Sequence, residues 1–185
     1  MFMKPITYPF KHFVKENFFK AECFQILKEF SSTISWTFFQ DENFPQYISS
    51  GKEVEDFFLH NEGANSNFKY LFENTYINKL KKLFLLNIES CISISFHKLI
   101  KGCYNVIHND FNDFGEKIRI ICYLSNPTEY VGGELNLFGD SEIAPLTTYK
   151  LNANSAIMFA MNEVSVHSVN EVTDGERICI VITYK

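Results

Sequence analysis

The chain has 185 residues with a net charge of −5 at pH 7 and a sequence pI near 5.5. That length fits one catalytic unit and is too short for a catalytic domain plus a separate substrate domain. The acidic balance argues against a phosphate-backbone partner, which needs clustered Lys and Arg; no nucleic acid is expected. The small basic cluster Lys79, Lys81, Lys82 reads as the solvated face of a helix.

Residues 1–10 carry Lys4, Pro5 and Pro9 and no sustained apolar run, so no secretory signal is expected. No stretch approaches the roughly 18 apolar residues that span a bilayer. Five cysteines without a C-x-x-C pair read as reduced thiols. The expectation is a cytoplasmic protein with no membrane partner.

In chain order, Val14, Phe18, Phe19, Cys23, Phe24, Leu27 and Phe30 recur at helical spacing, which predicts an amphipathic helix over Val14 to Phe30, ended by Ser31, Ser32 and Thr33. Ile34 to Phe39 reads as an edge strand. A polar loop with Pro45 follows, then a helical region after Gly51. The longest helical pattern runs from Asn67 to Ile88 on the stripe Phe68, Leu71, Phe72, Tyr76, Leu80, Phe84 and Ile88. With 20 phenylalanines in the chain, heaviest in the first half, these rings read as core material.

Beyond Ile88 the period changes to two. Ile92 to Phe96 alternates, and a Lys101-Gly102 turn leads into Cys103 to Ile107. Ile118 to Leu124, Glu134 to Phe138 between Gly132-Gly133 and Gly139-Asp140, Thr147 to Leu151, Ala156 to Met161, Ser165 to Val172 and Arg177 to Tyr184 then read as strands. Roughly eight short strands after a mostly helical first half predict a mainly β (α+β) chain. The expected architecture is a jelly-roll barrel with N-terminal helices packed on one outer face. Residues 1–90 form a helical support region and 91–185 the barrel core of a single domain, 1–185.

His108 and Asp110 are two apart, so at the end of an extended strand their side chains point to one side. His167, on a late strand, is placed to meet them across the barrel. Two imidazoles and one carboxylate are the set with which non-haem Fe(II) is held on one face while the other stays open. Other chemistries fare worse. Cys103 has no paired Cys or His at zinc spacing, no G-x-S-x-G elbow or glycine-rich phosphate loop is present, and nothing singles out a glycosidase carboxylate pair. His12, His60 and His97 show no ligand spacing and read as surface or packing residues.

Four further features surround the triplet. Gly102 lies six before His108, giving G-x-x-x-x-x-H-x-D; Arg119 to Ser125 reads R-x-x-x-Y-L-S; Val131-Gly-Gly-Glu-Leu forms a G-G-x-L turn; and His167 to Val172 reads H-x-V-x-x-V, followed by Gly175-Glu-Arg177. Over roughly Cys91 to Lys185 the chain resembles the prolyl-hydroxylase-like branch of the 2-oxoglutarate- and Fe(II)-dependent oxygenases, whose fold is a cupin-like double-stranded β-helix. The resemblance implies a dioxygenase using Fe(II), 2-oxoglutarate and O2, with ascorbate as a stimulating reductant. It assigns the metal to His108, Asp110 and His167. The far carboxylate of 2-oxoglutarate goes to Arg177, a permanently charged planar fork, and to the Tyr123 phenol.

Halogenating relatives replace the metal carboxylate by Gly or Ala, so Asp110 favours hydroxylation. Leu99 and Ser125 stand where the pattern usually has Tyr and Asn, and these departures bear on the substrate. Mouth contacts are expected from Trp36 to Pro45, Asn109 to Glu116, Asn126 to Val131 and Tyr104. A small-molecule substrate, a free amino acid or metabolite, is expected. Its alternatives are a peptidyl-prolyl residue on a protein and a catalytically silent barrel that binds a metal or small acid; a sugar-binding or isomerase-like cupin would show H-x-H, which is absent.

Overall fold

Strand alternation organises the molecule. In the computed structural model, which describes residues 4–60, 67–111, 115–139 and 144–185, thirteen strands and three α-helices are assigned among the described residues. The strands β1 (His12–Lys15), β2 (Thr37–Phe39), β3 (Gln46–Ser49), β4 (Cys91–Leu99), β6 (Ile118–Tyr123), β10 (Ala156–Ala160) and β13 (Arg177–Tyr184) form a seven-stranded sheet in the order β1-β10-β6-β13-β4-β3-β2. A second sheet runs β5 (Asn105–His108), β11 (His167–Val169), β8 (Leu135–Leu137), β9 (Thr147–Tyr149), and β12 (Val172–Gly175) pairs with β7 (Tyr130–Gly132). All pairings are antiparallel.

The large sheet is buried on both faces. On β6, Ile118, Ile120 and Cys122 join one core while Ile121 and Tyr123 join the other; on β13, Ile180, Ile182 and Tyr184 oppose Cys179 and Val181 in the same way. The first core also contains Cys23 and Leu27 of α1 (Ala21–Thr33), Val54, Phe57 and Phe58 of α2 (Lys52–Leu59), and Ile77, Leu80 and Phe84 of α3 (Asn74–Phe84). The second joins the inner face of the large sheet to Leu135, Leu137 and Val169 of the small one. Two antiparallel sheets packed face to face make a jelly roll.

Phenylalanine supplies much of the helix-side core: Phe13, Phe19, Phe58, Phe68 and Phe96 are buried, and Phe30 stacks on Phe57 at 3.7 Å. Each fully buried ring contributes about 1.5–3 kcal/mol, which suits a chain of this size.

Several expectations need correction. The helix expected over Val14 to Phe30 begins only at Ala21. Val14 lies in β1, paired to β10, and the next segment is held by Asn154: its side chain bonds the N–H and C=O of Phe19 (2.9 and 3.0 Å), and its backbone carbonyl accepts from Phe18 (2.8 Å). At its other end α1 runs past the expected stop at Phe30 to Thr33: Ser31, Ser32 and Thr33 lie in its last turn, where their hydroxyls donate to the carbonyls of Lys28, Glu29 and Phe30.

The single helix expected over Asn67 to Ile88 is broken into a 3-10 turn (Lys69–Phe72) and α3, with Glu73 extended between them. The Tyr184 hydroxyl takes the Leu71 carbonyl that a continuous helix would use, at 3.0 Å. Finally, Ser165 to Val172 is two strands, β11 and β12, in different sheets, and β7 occupies part of a segment read as a turn. The first half is also less purely helical than expected, because it contributes β1, β2 and β3 to the large sheet. Asp140 of the Gly139-Asp140 turn lies outside the described residues.

Candidate metal and co-substrate site

His108 ends β5 and His167 begins β11, and the register sets them directly opposite each other. They therefore meet as neighbours within the small sheet, not across the barrel as their distance in sequence suggested. Their rings lie 4.3 Å apart, centroid to centroid. Asp110, just past β5, completes the group: its Oδ1 is 3.6 Å from His108 Nε2 and its Oδ2 is 3.4 Å from His167 Nε2. One donor atom from each of the three lies within 4.8 Å of the others.

Both imidazoles are prepared in the same way. His108 Nδ1 bonds the Val106 carbonyl at 2.7 Å and His167 Nδ1 bonds the Ser165 carbonyl at 2.8 Å. A carbonyl only accepts, so Nδ1 carries the hydrogen, and in the neutral ring the Nε2 lone pair faces the group. Such outer hydrogen bonds are how metal-ligating histidines are oriented. Burial pushes the His167 pKa down to about 4, which leaves it neutral at pH 7. Burial works to raise the Asp110 pKa, but the close imidazoles of His108 and His167 and the Arg119 guanidinium favour the carboxylate and hold it well below the usual carboxylate range. Neutral imidazole nitrogen and ionised carboxylate oxygen are the donor states a divalent cation requires, so these residues fit the metal.

The same cavity, about 260 Å³, holds Arg177, which opens β13 and is 2% exposed. Its Nη2 donates to the Tyr123 hydroxyl at 3.3 Å, its guanidinium lies 4.9 Å over that ring, and Nη1 reaches Cys179 Sγ at 3.8 Å. Among the described residues no carboxylate pairs with Arg177, and its buried Nε has no hydrogen-bond partner. Glu171 and Asp174, which flank it in sequence, do not pair with it. A buried cation without a counter-charge is costly, and a ligand carboxylate answers that cost. The Gly132-Gly133 turn makes the room. A Cβ on Gly132 would meet Glu171 O at 2.0 Å, and one on Gly133 would come within 3.0 Å of Arg177 Cδ.

Leu99, Ile121, Leu135, Val169 and Val181 supply apolar cavity walls. Of the expected mouth segments, Trp36 to Pro45 contributes Phe39 and Phe44 to the lining; Phe44 meets the His108 ring edge-on at 4.8 Å. Tyr104 does not line the cavity but anchors that loop, donating to Glu42 O at 2.9 Å. No residue of Asn126 to Val131 is in the lining, and residues 112–114 of the Asn109 to Glu116 loop lie outside the described residues.

Sequence reasoning missed Arg119, Gln46, Asn105 and His97, all in the lining. His97 bonds Gln46 Oε1 at 3.0 Å and Ser95 Oγ at 2.8 Å. The signal for two of them was strand phase: Arg119 alternates with Ile121 and Tyr123, and His97 with Leu99.

Residues 94–185 match the family profile described as the 2OG-Fe(II) oxygenase superfamily. No curated protein sequence matches the chain. Among solved structures, it superposes on a Pseudomonas putida prolyl-4-hydroxylase with TM-score 0.70 and 16% identity, covering 94% of this chain and 91% of that one. A viral collagen prolyl hydroxylase from Paramecium Bursaria Chlorella virus-1, in complex with 2OG, gives 0.67 and 13%, over 94% of each chain. HygX from Streptomyces hygroscopicus, with nickel, 2-oxoglutarate and hygromycin B bound, gives 0.60 and 11%, over 94% and 82%. Family profile, fold and the convergent His-Asp-His group agree, and the chain belongs to the 2OG-Fe(II) oxygenase superfamily of enzymes, which work with Fe(II), 2-oxoglutarate and O2.

Proposed function

We propose that this enzyme hydroxylates an unactivated C–H bond of a compact substrate, a free amino acid or small metabolite, with release of succinate and CO2. The observation that carries this reading is that one cavity gathers the His108, Asp110 and His167 donors together with the buried guanidinium of Arg177. His108, Asp110 and His167 are the residues that would hold Fe(II), and Arg177 with Tyr123 those that would grip the far carboxylate of 2-oxoglutarate. When bound, the metal and its co-substrate supply the oxidising power that C–H cleavage demands.

The chain's own residues bind, orient and dry the site. Both imidazoles are locked by their carbonyl partners, and Tyr123, accepting from Arg177, keeps its own hydrogen for a ligand oxygen. The apolar walls exclude water from the inner end. An intact Asp110 favours hydroxylation over halogenation. We also take residues 1–185 as one working unit, since β1 to β3 complete the sheet. The five free thiols suit a reducing, cytoplasmic setting.

A cavity of about 260 Å³ lies below the ~300–1,000 Å³ usual for drug-sized ligands, which supports a compact substrate. The second reading, a prolyl residue on a protein, draws on Phe39, which lines the cavity and is 49% exposed, as a seat for flanking residues. The test incubates the protein with Fe(II), ascorbate and 2-oxoglutarate. Succinate is measured alone, with each of the twenty amino acids, and with proline-rich peptides, followed by mass analysis for one added oxygen. Asp110→Ala is expected to abolish succinate formation, and retained turnover would sink the ligand assignment. Stimulation by peptides alone would select the second reading, and a silent wild type would make the chain a binding barrel.

A further inference from the structure

Two guanidiniums line the cavity, and their surroundings differ. Arg177 has no acidic partner among the described residues, whereas Arg119 has two: its Nη1 donates to Asp110 Oδ1 at 2.6 Å, and its Nη2 lies 3.6 Å from Glu116 Oε2. A cation already answered by two carboxylates of its own chain has little net charge to offer an anionic ligand. It is well made for holding one of those carboxylates still.

We infer that Arg119 is a positioning residue for metal ligation: it pins Asp110 Oδ1 so that the carboxylate is held in a fixed orientation between the two imidazoles. This rests on the reading of His108, Asp110 and His167 as the iron ligands.

The backbone of Arg119 is fixed from both sides. It lies in β6, in the middle of the large sheet, opposite Phe159 of β10 and Thr183 of β13. From there its side chain crosses the cavity to Asp110, beyond the end of β5 in the small sheet. The bond therefore ties the two sheets together at the metal site. Asp110, unlike His108 and His167, lies outside the paired strands, so no ladder sets its orientation. A charge-assisted bond of 2.6 Å from a side chain rooted in the sheet supplies that constraint. The planar fork matters, because an ammonium carries the charge without the fixed direction.

Co(II) titration of the metal-free protein, followed by visible ligand-field absorption, separates the possibilities. Wild type is expected to bind Co(II) and His167→Ala to lose binding; a wild type that shows no binding would overturn the iron-site reading itself. With wild type binding, Arg119→Gln is expected to bind about 10–100-fold more weakly with altered absorption bands. Arg119→Lys should fall between the two, a partial rescue by charge alone. Circular dichroism and urea unfolding of each metal-free variant report whether the fold is intact. If the Gln variant does not fold, Arg119→Lys decides, with weaker binding and shifted bands expected. Wild-type affinity and spectrum in whichever folded variant decides would overturn the positioning role.

Discussion

Arg177 and His97 line one cavity and answer opposite demands on charge. Arg177 is ionised at any working pH. His97 is kept neutral: burial, and then the positive charges of Arg119 and Arg177, push its pKa down to about 3 against a partial pull from Asp110. His167 follows the same pattern, down to about 4. Between about pH 6.5 and these values the unfolded chain takes up protons that the native one refuses, so stability rises with pH there. The metal-free enzyme is expected to be most stable above pH 6.5 and to lose stability as pH falls toward 4. Each such histidine adds a slope of up to about 1.4 kcal/mol per pH unit. Urea midpoints across that range check this, and His97→Gln should flatten the profile; an unchanged slope would mean His97 is solvated. His108 and Asp110 were legible from their two-residue spacing on a strand end, and His167 and Arg177 from the motifs that carry the family resemblance; one cavity gathers all four. For Arg119 and His97 strand phase gives only the face they share with Ile121 and Leu99; which side chain crosses the cavity to which partner is not recorded by any local spacing.

The loop between β2 and β3 is an ordered strap at the cavity mouth. The Asp41 carboxylate accepts from the Asn43 N–H (2.8 Å), the Asn43 carbonyl accepts from the Val106 N–H of β5 (3.0 Å), and the Tyr104 hydroxyl reaches Glu42 O. These bonds hold Phe44 against His108. Tyr104→Phe removes one exposed hydrogen bond, so the global cost should stay within about 0.5–1.5 kcal/mol. Amide exchange of a peptide spanning residues 41–45 should nonetheless quicken, because few buried contacts otherwise restrain it. Unchanged exchange would show that the strap does not depend on Tyr104. Elements whose pattern and pairing agree, such as Arg177 to Tyr184 and Ile118 to Tyr123, were readable to within a residue. The helix expected over Val14 to Phe30 was not, because the stretch from Val14 to Lys20 is not helical. The apolar spacing there is real, but Val14 packs from a strand and Phe18 and Phe19 from a segment bonded to Asn154, a residue far away in sequence. Likewise the break at Glu73 is set by Tyr184, the penultimate residue.

At the scale of the molecule, the large sheet separates a helix-side core, which contains no member of the site, from a second face that forms the cavity. The site therefore lies between two sheets that its own ligands help to join: Arg177 on one and His108 and His167 on the other. Ligands that bind only the folded arrangement must then stabilise the whole chain, by about 2.7 kcal/mol at a hundredfold excess over their dissociation constant. For a protein of this length that is a rise in Tm of about 5–10 °C. Mn(II), a redox-stable stand-in, is expected to give one increment and 2-oxoglutarate a second on top of it. Arg177→Met separates the two. It removes a buried cation that no described carboxylate neutralises, so the ligand-free variant should be no less stable than wild type and about 1–4 kcal/mol more stable if the new side chain packs well. It should keep the Mn(II) increment and lose the one from 2-oxoglutarate. His167→Ala should lose both, because without the metal the co-substrate retains only its far contact. A 2-oxoglutarate increment that survives in Arg177→Met would place the co-substrate carboxylate elsewhere in the cavity.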